Sequence, residues 1–217
     1  MKYFVITIPH HKGSQENAQR CIESGKRYGI DIQTFDAITP ETHDVEGIFR
    51  QQGISTSNFS TKYSRWENVL ACFLSHYTLW MSCVNNKTEA YTIFEHDAVI
   101  NSPLPSKPPM FVGTFGKPSY GKYITPSHLG WDSLTSKPYF PGAHAYTVTT
   151  MGAKMLVEAA KEEACTPDLF LNRRRFPWLQ EFYPWCAYVD DSFSTIQKVE
   201  GCLAKHNFSS EFEYLEQ

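Results

Sequence analysis

The residues best suited to chemistry in this 217-residue chain are the triplet Glu95-His96-Asp97. The triplet directly follows the apolar run 90–94, which indicates a strand. Because side chains alternate along an extended chain, Glu95 and Asp97 are expected to face one way and His96 the other. Paired carboxylates at a strand end can hold a divalent cation that neutralises a diphosphate. An isolated acidic triplet is more often a solvated turn, so the surrounding elements must decide between the two interpretations.

The first 36 residues predict a strand, a helix and a second strand that could position such a site. Residues 2–8 indicate a buried strand, and Ser14 is the expected N-cap of a helix that runs to about residue 28. Residues 30–35 predict a second strand that closes at Asp36. The resulting βαβ unit has a right-handed crossover, and such units bind ligands at the carboxyl ends of their strands.

The strongest helical pattern covers residues 66–85, where apolar side chains recur at helical spacing. These side chains are Trp66, Val69, Leu70, Phe73, Leu74, Tyr77, Trp80, Met81 and Val84. Ser75 and His76 interrupt the apolar run, and a buried polar pair needs hydrogen-bond partners. Taken alone, His76 is therefore interpreted as a structural histidine.

The remaining segments are less regular. Residues 101–141 are rich in Pro, Gly, Ser and Tyr, which favours a lid or a set of short hairpins. A strand over 142–149 and a helix over 150–161 are expected to follow. Thr166-Pro167-Asp168 is typical of a helix start, with proline at the first position. The acidic tail over 209–217 is expected to be poorly ordered.

Composition limits the class of protein. With 41% apolar, 15% aromatic and 20% charged residues, the chain is expected to form one globular domain over residues 1–217. A net charge of −3 and a pI near 6.2 argue against binding nucleic acid through a broad basic surface. No apolar run approaches the roughly 20 residues of a membrane span. The six cysteines contain no CxxC pair, which argues against a zinc knuckle or disulfides and favours a reducing, cytoplasmic location.

The order of these elements resembles glycosyltransferase family 25, which includes bacterial lipopolysaccharide sugar transferases and collagen galactosyltransferases. The matching segments, in chain order, are Phe35-Asp36-Ala37-Ile38, Ala71-Cys72-Phe73-Leu74-Ser75-His76, Ile93-Phe94-Glu95-His96-Asp97-Ala98, Gly142-Ala143-His144-Ala145-Tyr146, Gly152-Ala153-Lys154, Thr166-Pro167-Asp168 and Asp190-Asp191. Together they extend over most of residues 2–197. Each segment is degenerate, but their order and spacing make the resemblance fairly specific.

The resemblance implies an α/β fold: a single GT-A-type, Rossmann-like nucleotide-sugar-binding domain with a mostly parallel central sheet. It also implies a nucleotide-sugar donor, usually a UDP-sugar, and a bound Mn²⁺ or Mg²⁺. In the family the triplet is commonly Glu-Asp-Asp, so His96 is a departure. By the resemblance Asp97 binds the metal, and Glu95 is a second ligand or lies nearer the ribose or a metal-bound water. His96 is then a further ligand, a ribose contact or the cause of weak metal binding.

Other positions acquire expected roles from the resemblance. Asp36 is expected to contact the nucleoside, although an aspartate after a strand is also a common turn residue. Pro9 and His10 follow the first strand on the base side of the site, and Ser75 and His76 are placed toward the donor.

The catalytic base is expected among the later acidic residues. Transfer with inversion needs a base for the acceptor hydroxyl, and Asp168 is the first candidate. Its alternative role is an acidic residue favoured by the helix dipole. Asp190 and Asp191 are second candidates, as a base or as additional metal ligands, and the sequence does not choose between retention and inversion.

The segment Arg173-Arg174-Arg175, with Trp178 shortly after it, has a distinctive composition. Arginine beside aromatic residues suits phosphate contact and stacking on a base or sugar, which makes this segment a candidate acceptor site. A solvated basic turn beside core aromatics is the favoured simpler interpretation.

The expected function is therefore metal-dependent transfer of a sugar to a hydroxyl of a surface glycan or lipopolysaccharide. A hydroxylated or hydroxymethylated DNA base is an alternative acceptor. A protein of the same fold that only binds a glycan or a partner is a second alternative, since fold constrains function weakly.

Overall fold

The computed structural model describes residues 1–60, 64–190, 193–196 and 213–214. The helices are α1 (Lys12–Lys26), α2 (Val45–Gln52), α3 (Trp66–Asn85), α4 (Thr150–Glu163) and α5 (Pro167–Phe170). The strands are β1 (Lys2–Thr7), β2 (Ile32–Asp36), β3 (Ala90–Glu95), β4 (Ala98–Ile100), β5 (Val112–Thr114), β6 (Gly130–Ser133), β7 (Ala145–Thr149), β8 (Gln180–Tyr183), β9 (Ala187–Val189), β10 (Phe193–Ser194) and β11 (Glu213–Tyr214).

The central sheet has seven strands in the order β2-β1-β3-β7-β5-β8-β6 within the described residues. Strands β2, β1, β3, β5 and β8 run in one direction, while β7 and β6 run in the other. The expected α/β class with a Rossmann-like, mostly parallel central sheet is confirmed.

The order in which the chain adds strands to the sheet reverses at β1, because β2 and β3 lie on opposite sides of it. From β1 it passes through α1 to β2 on one side, and then returns through α2 and α3 to β3 on the other side. The register pairs Thr7 with Asp36 and Ile6 with Glu95, so the carboxyl ends of the three strands lie at one edge. Such a switch point leaves a crevice in which open α/β sheets bind ligands.

Two apolar clusters cover the two faces of the sheet. On one face, α3 and α4 pack against side chains of β3 and β7 that include Ile93 and Tyr146. On the other face, α1 packs against a smaller cluster that includes Val5 and Phe94. Each fully buried large apolar side chain contributes roughly 1.5–3 kcal/mol. The adjacent β3 residues Ile93 and Phe94 therefore lie in apolar clusters on opposite sides of the sheet.

The start of α1 differs from the expectation. The helix begins at Lys12, and its N-cap is His11, whose Nδ1 accepts a hydrogen bond from the Ser14 backbone N–H at 3.1 Å. The expectation that Ser14 is the cap was wrong. Its buried hydroxyl instead accepts a hydrogen bond from the Ile8 backbone N–H at 2.9 Å and contacts His96. A serine inside the first turn can bind the strand that precedes the helix, whereas a cap residue faces the helix's own N–H groups.

The segment 101–141 supplies β5 and β6 to the central sheet. Its interpretation as a lid or hairpin insertion stays a prediction. Further along, α5 begins with Pro167 at its first turn, as the sequence indicates. Asp191 and, apart from the backbone of residues 213–214, the tail 209–217 lie outside the described residues.

Replacing Ser14 with alanine is expected to lower the free energy of unfolding by roughly 1–3 kcal/mol, because the partly buried Ile8 N–H loses its partner. Urea denaturation measures this difference. The exposed Ser57 provides the matched control, and Ser57→Ala should change stability by less than about 0.5 kcal/mol. Equal stability of the Ser14→Ala variant and the unmodified protein would contradict the structural role assigned to this hydroxyl.

Candidate functional site

Glu95 and His96 lie on opposite faces of the sheet at the end of β3. Glu95 follows the Ile93 side of the strand and contacts His76 of α3. His96 follows the Phe94 side and contacts Ser14 of α1. This arrangement is the one that alternation predicts. The strand ends at Glu95, and residues 96–97 form a turn, so alternation does not extend to Asp97.

A chain of buried hydrogen bonds ends on Glu95. The Trp80 indole N–H donates to the Tyr146 hydroxyl at 2.9 Å. The same hydroxyl lies 2.8 Å from His76 Nδ1, and His76 Nε2 lies 3.2 Å from Glu95 Oε1. The rings of His76 and Tyr146 also stack, with their centroids 5.8 Å apart. His76, a polar residue inside the apolar helix α3, is thus satisfied by β7 and β3.

The contact between His76 and Glu95 is a hydrogen bond of a neutral imidazole, although its distance would also allow an ion pair. Burial lowers the pKa of His76 to about 3, which outweighs the opposite effect of the Asp168 charge. In the neutral ring only one nitrogen carries a proton. With the Tyr146 hydroxyl donating to Nδ1, the Nε2–H donates to the Glu95 carboxylate.

Cys72 and Asp168 lie near this pair. The donor atoms of Cys72, His76 and Glu95 are all within 4.8 Å of one another. The Asp168 charge acts on both His76 and Cys72. Burial raises the pKa of Asp168 above its ordinary value, and the hydrogen bond from the Leu169 N–H opposes this shift. The predicted catalytic base is therefore close to the carboxyl end of β3.

The turn after β3 is held from the opposite side. His96 Nδ1 shares a hydrogen bond with Ser14 Oγ at 3.2 Å, and burial lowers the pKa of His96 to about 4, with the His11 and Arg20 charges acting in the same direction. His96 is therefore neutral near pH 7. Its Nδ1 is directed at α1, which gives it a role in positioning the turn.

Asp190, the first residue of the C-terminal acidic pair, approaches the same turn. Strand β9 pairs with β4, and the Asp190 N–H donates to the Asp97 carbonyl at 3.0 Å. The Asp190 carboxylate forms an ion pair with Arg20 of α1, with N and O 3.0 Å apart. Asp190 thus reaches the predicted metal turn.

The candidates on the nucleoside side lie at the adjacent strand ends. Asp36, Pro9 and His10 are exposed, and His10 Nε2 lies 3.6 Å from a Glu41 carboxylate oxygen. Ser75 accepts a hydrogen bond from the Ile38 N–H at 3.0 Å and donates one to the Ala71 carbonyl at 3.0 Å. Ser75 therefore attaches the segment after β2 to α3.

The three arginines have different environments. Arg173 Nη1 donates to the Leu134 carbonyl at 2.8 Å, while Arg174 is exposed. Arg175 pairs with Glu163, donates to the Phe170 carbonyl at 3.0 Å and lies over the Phe170 ring. Trp178, the fourth residue of this candidate acceptor site, is half-buried and packs against the rings of Phe111 and Phe176. Two of the three guanidinium groups thus bind this protein's own backbone, and the role of the segment in acceptor binding stays a prediction.

Two contributors were missed by the sequence reasoning. Tyr146 supplies the hydroxyl that orients His76, and Cys72 lies one turn before His76 on the same face of α3. The spacing of four residues between Cys72 and His76 is a signal that could have identified the second, because such residues are neighbours on a helix.

The fold and these side chains define an α/β protein with a polar, carboxylate-rich sheet edge at a topological switch point. Residues 1–107 match the model of glycosyltransferase family 25, described as an LPS biosynthesis protein. The predicted resemblance is confirmed over this segment, which is just under half of the chain.

A similar solved structure is that of a glycosyltransferase involved in the glycosylation of the major capsid of PBCV-1. The two chains are 12% identical with a TM-score of 0.34, and the match covers 73% of this chain. It covers 66% of the other chain, just under two thirds of its length. No curated protein matches this sequence significantly. Within the described residues, no helix has the length and apolar character needed to cross a membrane.

Replacing Arg175 with alanine is expected to lower the free energy of unfolding by roughly 1–3 kcal/mol, because the carbonyls at the end of α5 lose a charged donor. The neighbouring exposed Arg174 is the matched control, and Arg174→Ala should change stability by less than about 0.5 kcal/mol. Thermal or urea unfolding of the two variants makes the comparison. Equal losses would show that Arg175 does not support α5.

Proposed function

We propose that this chain is a glycosyltransferase that moves a sugar from a nucleotide diphosphate sugar, a UDP-sugar, to a hydroxyl of a surface glycan or lipopolysaccharide. The observation that carries the proposal is the position of Asp36 and Glu95 at the carboxyl edge shared by β2, β1 and β3, with the Asp168 charge acting on the neighbouring His76 and Cys72. The family match over residues 1–107 supports the same reaction class.

The donor is proposed to lie across the carboxyl ends of β2, β1 and β3. The exposed residues Asp36, Pro9 and His10 border the β2 side of this edge and suit the polar nucleoside. Glu95 and Asp97 border the β3 side, where the diphosphate would lie. Ser75 and His76 act behind this edge, Ser75 on the backbone after β2 and His76 on the Glu95 carboxylate.

Glu95 and Asp97 are proposed to hold a Mn²⁺ or Mg²⁺ ion that shares its ligands with a diphosphate. Such an ion is commonly bound through one or two protein carboxylates and substrate phosphates. The Glu95 side chain is 27% exposed, and Asp97 lies in the turn that follows it. When bound there, the cation supplies neutralisation of the charge on the departing diphosphate.

Asp168 is proposed as the base in a transfer with inversion. The acceptor oxygen forms a bond to the anomeric carbon, the bond from that carbon to the diphosphate oxygen breaks, and Asp168 takes the hydroxyl proton. A carboxylate whose pKa is raised by burial is a stronger base than an ordinary aspartate. The nearby Glu95 carboxylate keeps the region negatively charged and favours a cation beside it.

A glycan acceptor is favoured over a DNA base. Arg173 and Arg175 are directed at backbone carbonyls, and Arg175 also pairs with Glu163, so the arginine segment presents less positive charge than its sequence suggests. A nucleic-acid surface depends on such charge for its affinity. The description of the matched family as an LPS biosynthesis protein supports the glycan.

A screen of nucleotide sugars for release of free nucleotide, with and without Mn²⁺, tests the donor and the metal. We expect Mn²⁺-dependent release, and we expect Asp97→Asn to reduce it at least about 100-fold because a ligand carboxylate is lost. Asp31, an exposed aspartate just before β2, provides the control, and Asp31→Asn should retain full turnover. Unchanged turnover in Asp97→Asn would remove Asp97 from the metal site, and release of no nucleotide from any donor would contradict the proposed function.

Replacing Asp168 with asparagine should lower the transfer rate by roughly 10²–10⁴ while leaving donor affinity nearly unchanged, because a base acts on the acceptor. Calorimetric titration with the donor and a transfer assay measure the two quantities separately. If donor affinity falls as much as the transfer rate, Asp168 belongs to the donor site and a different residue is the base.

A further inference from the structure

We propose that Cys72, His76 and Glu95 form a binding site for a divalent cation of the zinc class. Their donor atoms all lie within 4.8 Å of one another, and His76 Nε2 is 3.2 Å from Glu95 Oε1. Ligand atoms around one zinc ion, at about 2.0–2.3 Å from the metal, lie less than about 4.6 Å apart. A small rotation of these side chains therefore brings them to coordination distance.

The three ligands come from two packed, regular elements. Cys72 and His76 are one turn apart on α3, so both side chains project from the same face of the helix. That helix packs against β3, whose last residue is Glu95. Ligands carried by a helix and a strand are held more rigidly than ligands carried by loops.

The donor set selects the kind of metal. A thiolate, an imidazole and a carboxylate together suit zinc, whereas Mg²⁺ and Mn²⁺ prefer oxygen ligands. Three protein ligands also leave the fourth position of a tetrahedral ion open. The half-buried Cys72 and the partly exposed Glu95 place that open position toward the carboxyl edge of the sheet.

The second nitrogen of His76 is held in the way that metal sites require. Metal-bound histidines usually bond through their other ring nitrogen to an oxygen that fixes the ring. Here the Tyr146 hydroxyl lies 2.8 Å from Nδ1, and the Trp80 indole N–H fixes that hydroxyl in turn. With a metal on Nε2 the ring proton would move to Nδ1, which would then donate to the Tyr146 hydroxyl, the reverse of the hydrogen bond in the metal-free ring. The imidazole is thus oriented with Nε2 toward Cys72 and Glu95.

The local charge also favours a cation. The carboxylates of Glu95, Asp168 and Asp97 lie close enough for their negative charges to act on the Cys72 thiol. A bound divalent ion would neutralise part of this charge and stabilise the thiolate.

This site goes beyond the proposed sugar transfer, because it shares Glu95 with the Glu95–Asp97 pair but takes its other two ligands from α3. Its occupancy can be measured without any nucleotide sugar. Failure of the zinc site and failure of the transferase assignment are therefore separate results.

The test uses the full chain after treatment with a chelator that removes bound metal. The protein is titrated with Co²⁺, a spectroscopic substitute for zinc, in the presence of a phosphine that keeps the cysteines reduced. We expect a thiolate-to-cobalt charge-transfer band that saturates at one equivalent and disappears when one equivalent of Zn²⁺ is added. Cys72→Ser should abolish this band. Cys83→Ser, on the same helix but bonded to backbone carbonyls in the core, should retain it.

If Cys72→Ser fails to fold, two further variants still test the zinc site through their cobalt affinity. Glu95→Gln should keep the charge-transfer band but weaken cobalt binding, and Tyr146→Phe should weaken binding about 10–100-fold by releasing the His76 ring. The absence of a charge-transfer band in the unmodified protein would overturn the proposal. So would a band of equal strength in Cys72→Ser, or cobalt affinities in Glu95→Gln and Tyr146→Phe equal to that of the unmodified protein.

Discussion

Strand β1 lies between β2 and β3 and pairs with both of them in parallel. This double pairing brings the ends of three strands, separated by up to about 90 residues of sequence, to one edge of the sheet. It also fixes the register at which Glu95 lies beside Ile6. Because a shift of one residue would exchange the two faces of β3, this register decides that Glu95 meets α3 and His96 meets α1.

The hydrogen bonds from Trp80 through Tyr146 and His76 to Glu95 connect the apolar core to the polar edge. A buried polar group without a partner costs roughly 1–3 kcal/mol, so each member of the chain depends on the next. The network explains how the strongly apolar helix α3 tolerates a histidine. It also holds one face of the proposed site rigid.

The electrostatic character of the edge follows from burial. The histidines that contact the triplet from either side are neutral near pH 7, since burial lowers the pKa of His76 to about 3 and that of His96 to about 4. Glu95, Asp97 and Asp168 therefore contribute negative charge that these histidines do not neutralise. In both proposals a bound cation neutralises part of this negative charge. In the first, a Mn²⁺ or Mg²⁺ ion is bound by Glu95 and Asp97, and in the second, a zinc-class ion is bound by Glu95 together with Cys72 and His76.

The sequence by itself determined the elements and their local geometry. The apolar period over residues 66–85 gave the bounds of α3, and alternation in β3 put Glu95 and His96 on opposite faces, because both are properties of consecutive residues. The ordered motifs also predicted the resemblance to glycosyltransferase family 25, which the match over residues 1–107 confirms. Only the tertiary structure decided that Ser14 binds Ile8 rather than capping α1, that Arg175 holds the end of α5, and that Cys72 joins His76 and Glu95. These contacts connect different elements, and they depend on how helices pack on the sheet, which no local period encodes.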